Sequence, residues 1–455
     1  MEISDGRTAL QVLVPRGIGG LSPGSPLAPG DSGKQSYSVG AVRGQRSGDG
    51  KFLPKKLMYS SGRPCTGRRF DTQRLEYLDS VRGRVLVSLV VVAATLTAVT
   101  WAATVASASS GHPITTISLD MAHPYTPVAP PGATDDYHCT VLNPHVKQNS
   151  YIVSDQFFAG SVEDHHAILF LVPPSLAAEA EHANHNGNGW TCFGESPIPD
   201  TSRSQISNTP WLSVWAPGHG ADSLPKGTGV PLPAGSLVIM QVHYNLLVGD
   251  NPVKNKLVLH TVPMSTPLLP LTLDLLAAPP DIPCPSGVTG PLCNRASSLA
   301  NLGERFGQTA VAFVDRLEVQ CGRNPAEPPE GDSTSCTSQI GGSGYIVRVG
   351  AHMHLLGATF KMVLNPGTSH AKTILDVPNY NFHYQKAYNL NTPVKVSAGE
   401  SVQVSCTYDP TLAQELPALR NVAPHFVTWG WGSSDEMCLG LMWSAASLPN
   451  SKYPV

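Results

Sequence analysis

Apolar residues fall along this chain in short runs broken by clusters of glycine, proline, asparagine and aspartate. Tyr151–Val153, Ala167–Val172, Ser236–Tyr244 and Lys256–Val262 are rich in β-branched and aromatic residues and read as strands. The segment from Met264 to about Ala300 then carries prolines at 267, 270, 279, 280, 283, 285 and 291, which marks a boundary. Beyond it, Thr309–Val314, Leu317–Gln320, Gly344–Val349, Thr359–Leu364, Val394–Val396, Ser401–Cys406 and His425–Trp429 again read as short strands, with no sustained helical period. The pattern predicts an all-β fold. Two consecutive antiparallel, jelly-roll-like β-sandwich domains, 135–262 and 301–448, are expected on either side of a 263–300 linker.

The first part of the chain has a different pattern. Residues 1–84 are rich in Gly, Ser, Pro and Arg without an apolar period, the composition of a disordered segment. Val85–Ala108 carries no charge and is long enough to cross a bilayer, and Arg63, Arg68, Arg69, Arg74, Arg82 and Arg84 precede it. It reads either as a transmembrane anchor with its N-terminus in the cytoplasm, or as the apolar part of a secretory signal cleaved near Ala106-Ser107-Ala108. Both readings place the later residues outside the cytoplasm, membrane-anchored or secreted. Residues 109–134, with five prolines from Pro113 to Pro131, have the composition of a semi-rigid linker.

Composition sharpens this picture in two places. A net charge of -3 offers no electrostatic basis for binding nucleic acid. Of the nine cysteines, Cys65 precedes the apolar run and eight follow it, an even number suited to disulfides in an oxidising compartment. Proximity favours Cys284 with Cys293 and Cys321 with Cys336.

Histidines supply the candidate chemistry. In Arg348-Val-Gly-Ala-His352-Met-His354, strand alternation points both imidazoles to one face. His165 and His166 are adjacent, so they can share a metal only at a strand end or a bulge, and the charged Glu163 and Asp164 before them fit an exposed strand start. His243 lies in Gln-Val-His-Tyr, and Met437 in Asp-Glu-Met-Cys. Imidazoles with a thioether form a soft, nitrogen-rich donor set that selects copper. His182 and His185 sit in an Asn/Gly-rich surface-loop context. His219, His260, His370, His383 and His425 have no partner in sequence. No phosphate-binding loop, Gly-x-Ser-x-Gly elbow or Cys-x-x-Cys pair is present.

In the order His-His, Gln-Val-His-Tyr, His-x-His-x-x-Gly, Cys-Thr-Tyr and Asp-Glu-Met-Cys, the stretch from about Asp135 to Ser444 resembles the type II, ascorbate-dependent copper monooxygenases, the group of peptidylglycine α-hydroxylating and dopamine β-monooxygenases. The resemblance implies two coppers per chain, with ascorbate as reductant and O2 and a small molecule as substrates. It assigns His165, His166 and His243 to an electron-transfer copper, and His352, His354 and Met437 to an oxygen-activating copper with a catalytic role. It also implies a Cys406–Cys438 disulfide, which leaves Cys139 to Cys192.

The chain departs from the peptide-hydroxylating members at three positions. Where they place a carboxylate-binding arginine it has Gly350, and where they place an asparagine and a tyrosine it has Leu439 and Leu441. Arg348, on the same strand face as Gly350, is a candidate substitute at longer reach. The departures point to a small or apolar substrate rather than a peptidylglycine. They also keep open an exported copper-binding or adhesion protein of the same fold without turnover.

Overall fold

The computed structural model describes residues 113–193, 198, 210–218 and 220–450. The segments 1–84 and 85–108 and His219 lie outside the described residues. Among those described, no helix is long and apolar enough to cross a membrane.

The chain is mostly β, as its pattern predicts. Its first part runs through β1 (Thr115–Asp120), β2 (Asp135–Leu142), β3 (Ser150–Phe158) and β4 (Asp164–Val172), a short helix α1 (Ala177–Ala183), then β5 (Trp190–Thr191), β6 (Trp211–Trp215), β7 (Asp222–Ser223), β8 (Thr228–Leu232), β9 (Leu237–Asn245), β10 (Lys256–Pro263) and β11 (Leu269–Pro270). Two sheets result, one ordered β1-β10-β3-β8-β11 with β7 beside β3, the other β5-β2-β9-β4-β6. Strand alternation gives each an apolar face, and Leu119, Ile152 and Leu259 of the first share a buried core with Leu169, Met240 and Val242 of the second.

The later part holds β12 (Thr272–Ala277), β13 (Asp281–Ile282), helices α2 (Arg295–Phe306) and α3 (Gln308–Gln320), β14 (Ser333–Gln339), β15 (Gly344–His352), β16 (Gly357–Leu364), β17 (Lys372–Val377), β18 (Ala387–Val396), β19 (Ser401–Tyr408), a turn of helix α4 (Leu412–Glu415), β20 (Val427–Thr428) and β21 (Leu439–Ala445). Sheets β12-β21-β15-β18 and β14-β19-β16-β17 enclose a second core that includes Ile346, Val349 and Met442 opposite Phe360, Met362 and Val404. The other face of the β15–β21 pair, through Val347, Leu441 and Trp443, packs into the first core. The two pairs of sheets are thus continuous through one layer.

Several expectations are corrected. Thr309–Val314 and Leu317–Gln320 belong to α3, because Ala310, Val314 and Leu317 recur at helical spacing and bury one face against α2, Trp429 and Met437. α2 begins at Asn294, whose side chain accepts the Ser297 amide as an N-cap. The 263–300 stretch is not a free linker, since β12 pairs along its length with β21. Nor is 109–134 a spacer throughout: β1 pairs with β10, and the Tyr125 hydroxyl donates to buried Asp136 at 2.6 Å. Glu163 and Asp164 are buried rather than exposed. Asp164 accepts the amides of Gly160 and Ser161, and Glu163 accepts from Asn251.

Four disulfides are present and join the expected cysteines: Cys139–Cys192, Cys284–Cys293, Cys321–Cys336 and Cys406–Cys438. Such a set fits a protein that matures in an oxidising compartment.

Arg348 is only 2% exposed and does not reach toward a substrate. The ladder shifts register between Ile346 and Arg348, and the guanidinium pairs with Asp222, donates to the Ser223 carbonyl and Asn389, and lies 5.1 Å from the Trp443 ring. It clamps β15 to β7. Removing one member of a buried ion pair strands the other. Asp222→Ala is therefore expected to cost about 3 kcal/mol of unfolding free energy in urea titration, and Asp222→Ala with Arg348→Met to recover part of it.

Candidate metal centre

His165 and His166 sit at the start of β4, where the β4–β9 ladder shifts register between Asp164 and His166. This is the irregularity that two adjacent histidines need in order to turn to one side. Across the ladder His243 of β9 is the partner of His166. His243 Nδ1 lies 3.1 Å from both His165 Nδ1 and His166 Nε2. Two nitrogens bound to one tetrahedral ion at about 2.0 Å would be about 3.3 Å apart. All three rings are buried.

The other pair comes from β15 and the turn after it. His352 closes the strand and His354 follows, with ring centroids 5.1 Å apart. These rings face the first three: His166 and His352 are 5.3 Å apart, His165 and His354 6.3 Å, and His243 and His354 6.3 Å. Each pair of sheets supplies its own histidines, as expected, but the five imidazoles form one continuous cluster at the junction. Met437, two residues before β21, is buried against α2 and α3 and lines the same cavity as His166 and His352.

Ring orientation is set by neighbours that sequence reasoning did not single out. His243 Nε2 donates to Asp135 Oδ1 at 2.9 Å, which leaves Nδ1 as the lone-pair nitrogen facing His165 and His166. Burial works to raise the Asp135 carboxyl, but donation by His243, Ser433 and Thr134 holds it below the ordinary range. His352 Nδ1 donates to Gln385 Oε1 at 2.7 Å and His354 Nδ1 to the Asp435 carbonyl at 3.1 Å, so both offer Nε2. His354 Nε2 is buried and has no hydrogen-bond partner, as do His165 Nε2 and His166 Nδ1. Tyr137 stacks on His243 with ring centroids 4.1 Å apart, and Phe382 on His165 at 3.9 Å.

The loop bearing Met437 is held by its own carboxylates. Arg305 of α2 grips Asp435 with both terminal nitrogens, at 2.9 and 2.6 Å. Glu436, fully buried, accepts the amides of His354 at 2.9 Å, Leu356 at 2.6 Å and Met437 at 3.2 Å. Burial pushes its carboxyl up to about 8, against these three donors. Ser433 donates to Asp135 at 2.6 Å, so one carboxylate touches both His243 and the methionine loop. Asp435 and Glu436 stand inside the Asp-Glu-Met-Cys motif, whereas Arg305 lies in none of the ligand motifs.

Burial lowers the histidine pKa values, to about 4 for His352 and well below the ordinary value for His165, His166 and His354. The rings are thus neutral, as metal ligands must be. The ring nitrogens of His165, His166 and His243 that face one another, with the unpaired, buried Nε2 of His354, fit a soft transition-metal ion, copper among them. His182 and His185 are exposed near α1, and His260, His370, His383 and His425 take no part in the cluster.

Residues 332–444 match the family described as copper type II ascorbate-dependent monooxygenase, C-terminal domain. That part of the chain, which carries His352, His354 and Met437, matches the family whose ligand order the sequence resembles. The match does not extend to His165, His166 and His243. No curated protein matches the chain. Among solved structures, an allantoicase from Saccharomyces cerevisiae is 7% identical over 68% of this chain and 77% of its own, with a TM-score of 0.18. A fucolectin from striped bass (Morone saxatilis) serum is 8% identical over 68% and 85%, with a TM-score of 0.15. At these scores neither carries an argument.

Two outcomes are expected. Because the histidine pKa values are lowered, protons compete for His352 only as pH falls toward about 4, so copper affinity should stay nearly flat from pH 7.5 to 5.5, in roughly the range where free imidazoles would lose it; a steep loss below pH 6.5 in competition titrations would refute the buried-neutral assignment. Asp135→Asn, which lets His243 take the other tautomer, is expected to weaken copper about 10- to 100-fold and to move the ring proton from Nε2 in nitrogen-15 spectra of the metal-free protein.

Proposed function

We propose that this protein is a copper-dependent monooxygenase that hydroxylates a C–H bond of a small or apolar molecule with O2 and ascorbate. The observation that carries the reading is the meeting of five buried imidazoles at one junction, with His166, His352 and Met437 lining one cavity, in a chain whose residues 332–444 match the family. In this reading His165, His166 and His243 hold an electron-supplying copper, and His352, His354 and Met437 hold the copper at which oxygen reacts, two per chain. Copper bound there would supply one-electron chemistry and oxygen activation.

The chain's own residues do the rest. Asp135, Gln385 and the Asp435 carbonyl fix which nitrogen of each ring is offered. Glu436 and Arg305 hold the methionine loop against the His354 turn, which keeps soft and nitrogen donors together without a strand ladder between them. Burial strips water from the ligand rings, while the adjoining cavity positions a substrate beside His166, His352 and Met437. We read the two pairs of sheets as jelly-roll-like sandwiches, 135–262 and 301–448, and the chain as working beyond the cytoplasm, secreted or anchored through 85–108.

The test is copper stoichiometry and ascorbate-dependent oxygen uptake by the intact chain. Two coppers per chain, substrate-stimulated uptake and its loss by at least about 10²-fold in Met437→Ala are expected, with His243→Ala weakening a copper that Met437→Ala leaves in place. Copper uptake without turnover on any compound would support the alternative of a binding protein; no copper uptake would overturn both.

A further inference from the structure

Between β17 and β18 one short loop touches both sets of histidines. Phe382 and Gln385 are its buried members, while Asn381, His383 and Tyr384 are exposed. Phe382 stacks on His165 of the first set, with ring centroids 3.9 Å apart and an interplanar angle of 16°. The Phe382 carbonyl accepts the Gln385 side-chain amide at 2.9 Å, and Gln385 Oε1 accepts from His352 Nδ1 of the second set at 2.7 Å. Unbroken contact thus runs from one set to the other through a single turn, which the Tyr384 amide closes on the Asn381 carbonyl at 2.9 Å.

The start of the loop is tied to the second set as well. Tyr380 holds Met353, the residue between His352 and His354, by both backbone groups: its hydroxyl donates to the Met353 carbonyl and accepts the Met353 amide, each at 2.8 Å. That grip needs Gly357, the glycine of His-x-His-x-x-Gly, because a β-carbon there would stand 2.9 Å from the Tyr380 ring and 2.8 Å from the Met353 β-carbon. The His354 turn and the loop are packed as one piece. Close packing and shared hydrogen bonds make such a piece shift as a unit rather than ring by ring.

We infer that loop 380–385 is a positioning element that couples the two sets: an ion that orders His165 also orders Phe382, and with it Gln385 and His352, before a second ion arrives. The inference rests on the proposed two-copper reading, since it takes both sets as ligand sets. His166 against His352 and Ser433 against Asp135 also cross the junction, so the loop carries part of the coupling and not all of it.

The experiment is a binding cycle on the intact chain with copper(I), read by chelator competition. His354→Ala keeps the first set and His243→Ala the second; the two-copper association constant of the parent, divided by the product of these two single constants, is the coupling. Phe382→Leu and Gln385→Leu are each expected to lower it about fivefold or more. The double variant should lose no more than either alone, because the two contacts lie in series. Gln385→Glu, which keeps an acceptor for His352, should retain the coupling. In nitrogen-15 spectra of the metal-free chain, Gln385→Leu should release the His352 ring proton from Nδ1 and Gln385→Glu should keep it there. A coupling unmoved by Phe382→Leu, or losses that add in the double variant, overturns the inference, and two coppers per chain would then leave the hydroxylase reading standing. A proton that stays on Nδ1 in Gln385→Leu overturns the hold of the loop on the ring. A chain that takes up no copper defeats the coupling and the hydroxylase reading together.

Discussion

Five imidazoles removed from water at one junction impose a constraint on everything around them, because a buried polar ring must be paired or given a ligand. Three of the rings are satisfied on one side by a protein group of fixed character, while His165 and His166 meet only His243. Asp135 serves His243, Gln385 serves His352 and the Asp435 carbonyl serves His354. These partners in turn need their own: Asp135 takes hydrogen bonds from Ser433 and Thr134, and Asp435 is gripped by Arg305. The chain of satisfaction runs from β2 through the methionine loop to α2. It makes the junction between the two pairs of sheets a polar network enclosed by apolar packing, with little tolerance for a half-satisfied member.

That network explains why the two parts of the molecule share a layer. Val347, Leu441 and Trp443 face the first core, while Val349 and Met442 on the same two strands face the second. Alternation along β15 and β21 thus serves two cores at once. Arg348 crosses from β15 to Asp222 and Ser223, adding a polar clamp at the same boundary. Rings carried by separate sheets therefore hold mutual positions set by side-chain packing, the stiffest material a protein interior offers.

Much of this was legible in sequence, and the failures have physical causes. Period-two runs located β3, β4, β9, β10, β15, β16 and β19, because half-buried strands write their faces directly into the chain. The adjacent histidines required a bulge, and the β4 ladder has one. Thr309–Gln320 misled because its threonine and valines look strand-like, while the decisive signal was the spacing of Ala310, Val314 and Leu317. Glu163 and Asp164 looked exposed because charge usually means solvent, yet both are buried among amide donors. Met437 sits beside a charge as the sequence says, but Glu436 is itself wholly buried. Ligand types can be read from spacing. The hydrogen-bond partners that orient them, Asp135 and Gln385 above all, are set by tertiary contacts far apart in the chain.

The single helix α3, standing where two strands were expected, separates two tasks of the site. α3 supplies Phe313, Arg316, Leu317 and Gln320 to the cavity wall, yet contributes no ring to the histidine cluster. α2 reaches the centre through Arg305 and through packing of Leu302 and Phe306 in one cluster with Met437. α3 thus shapes the room beside the donors without supplying a nitrogen to them, so the outline of that room and the identity of the donors are written in different stretches of the chain.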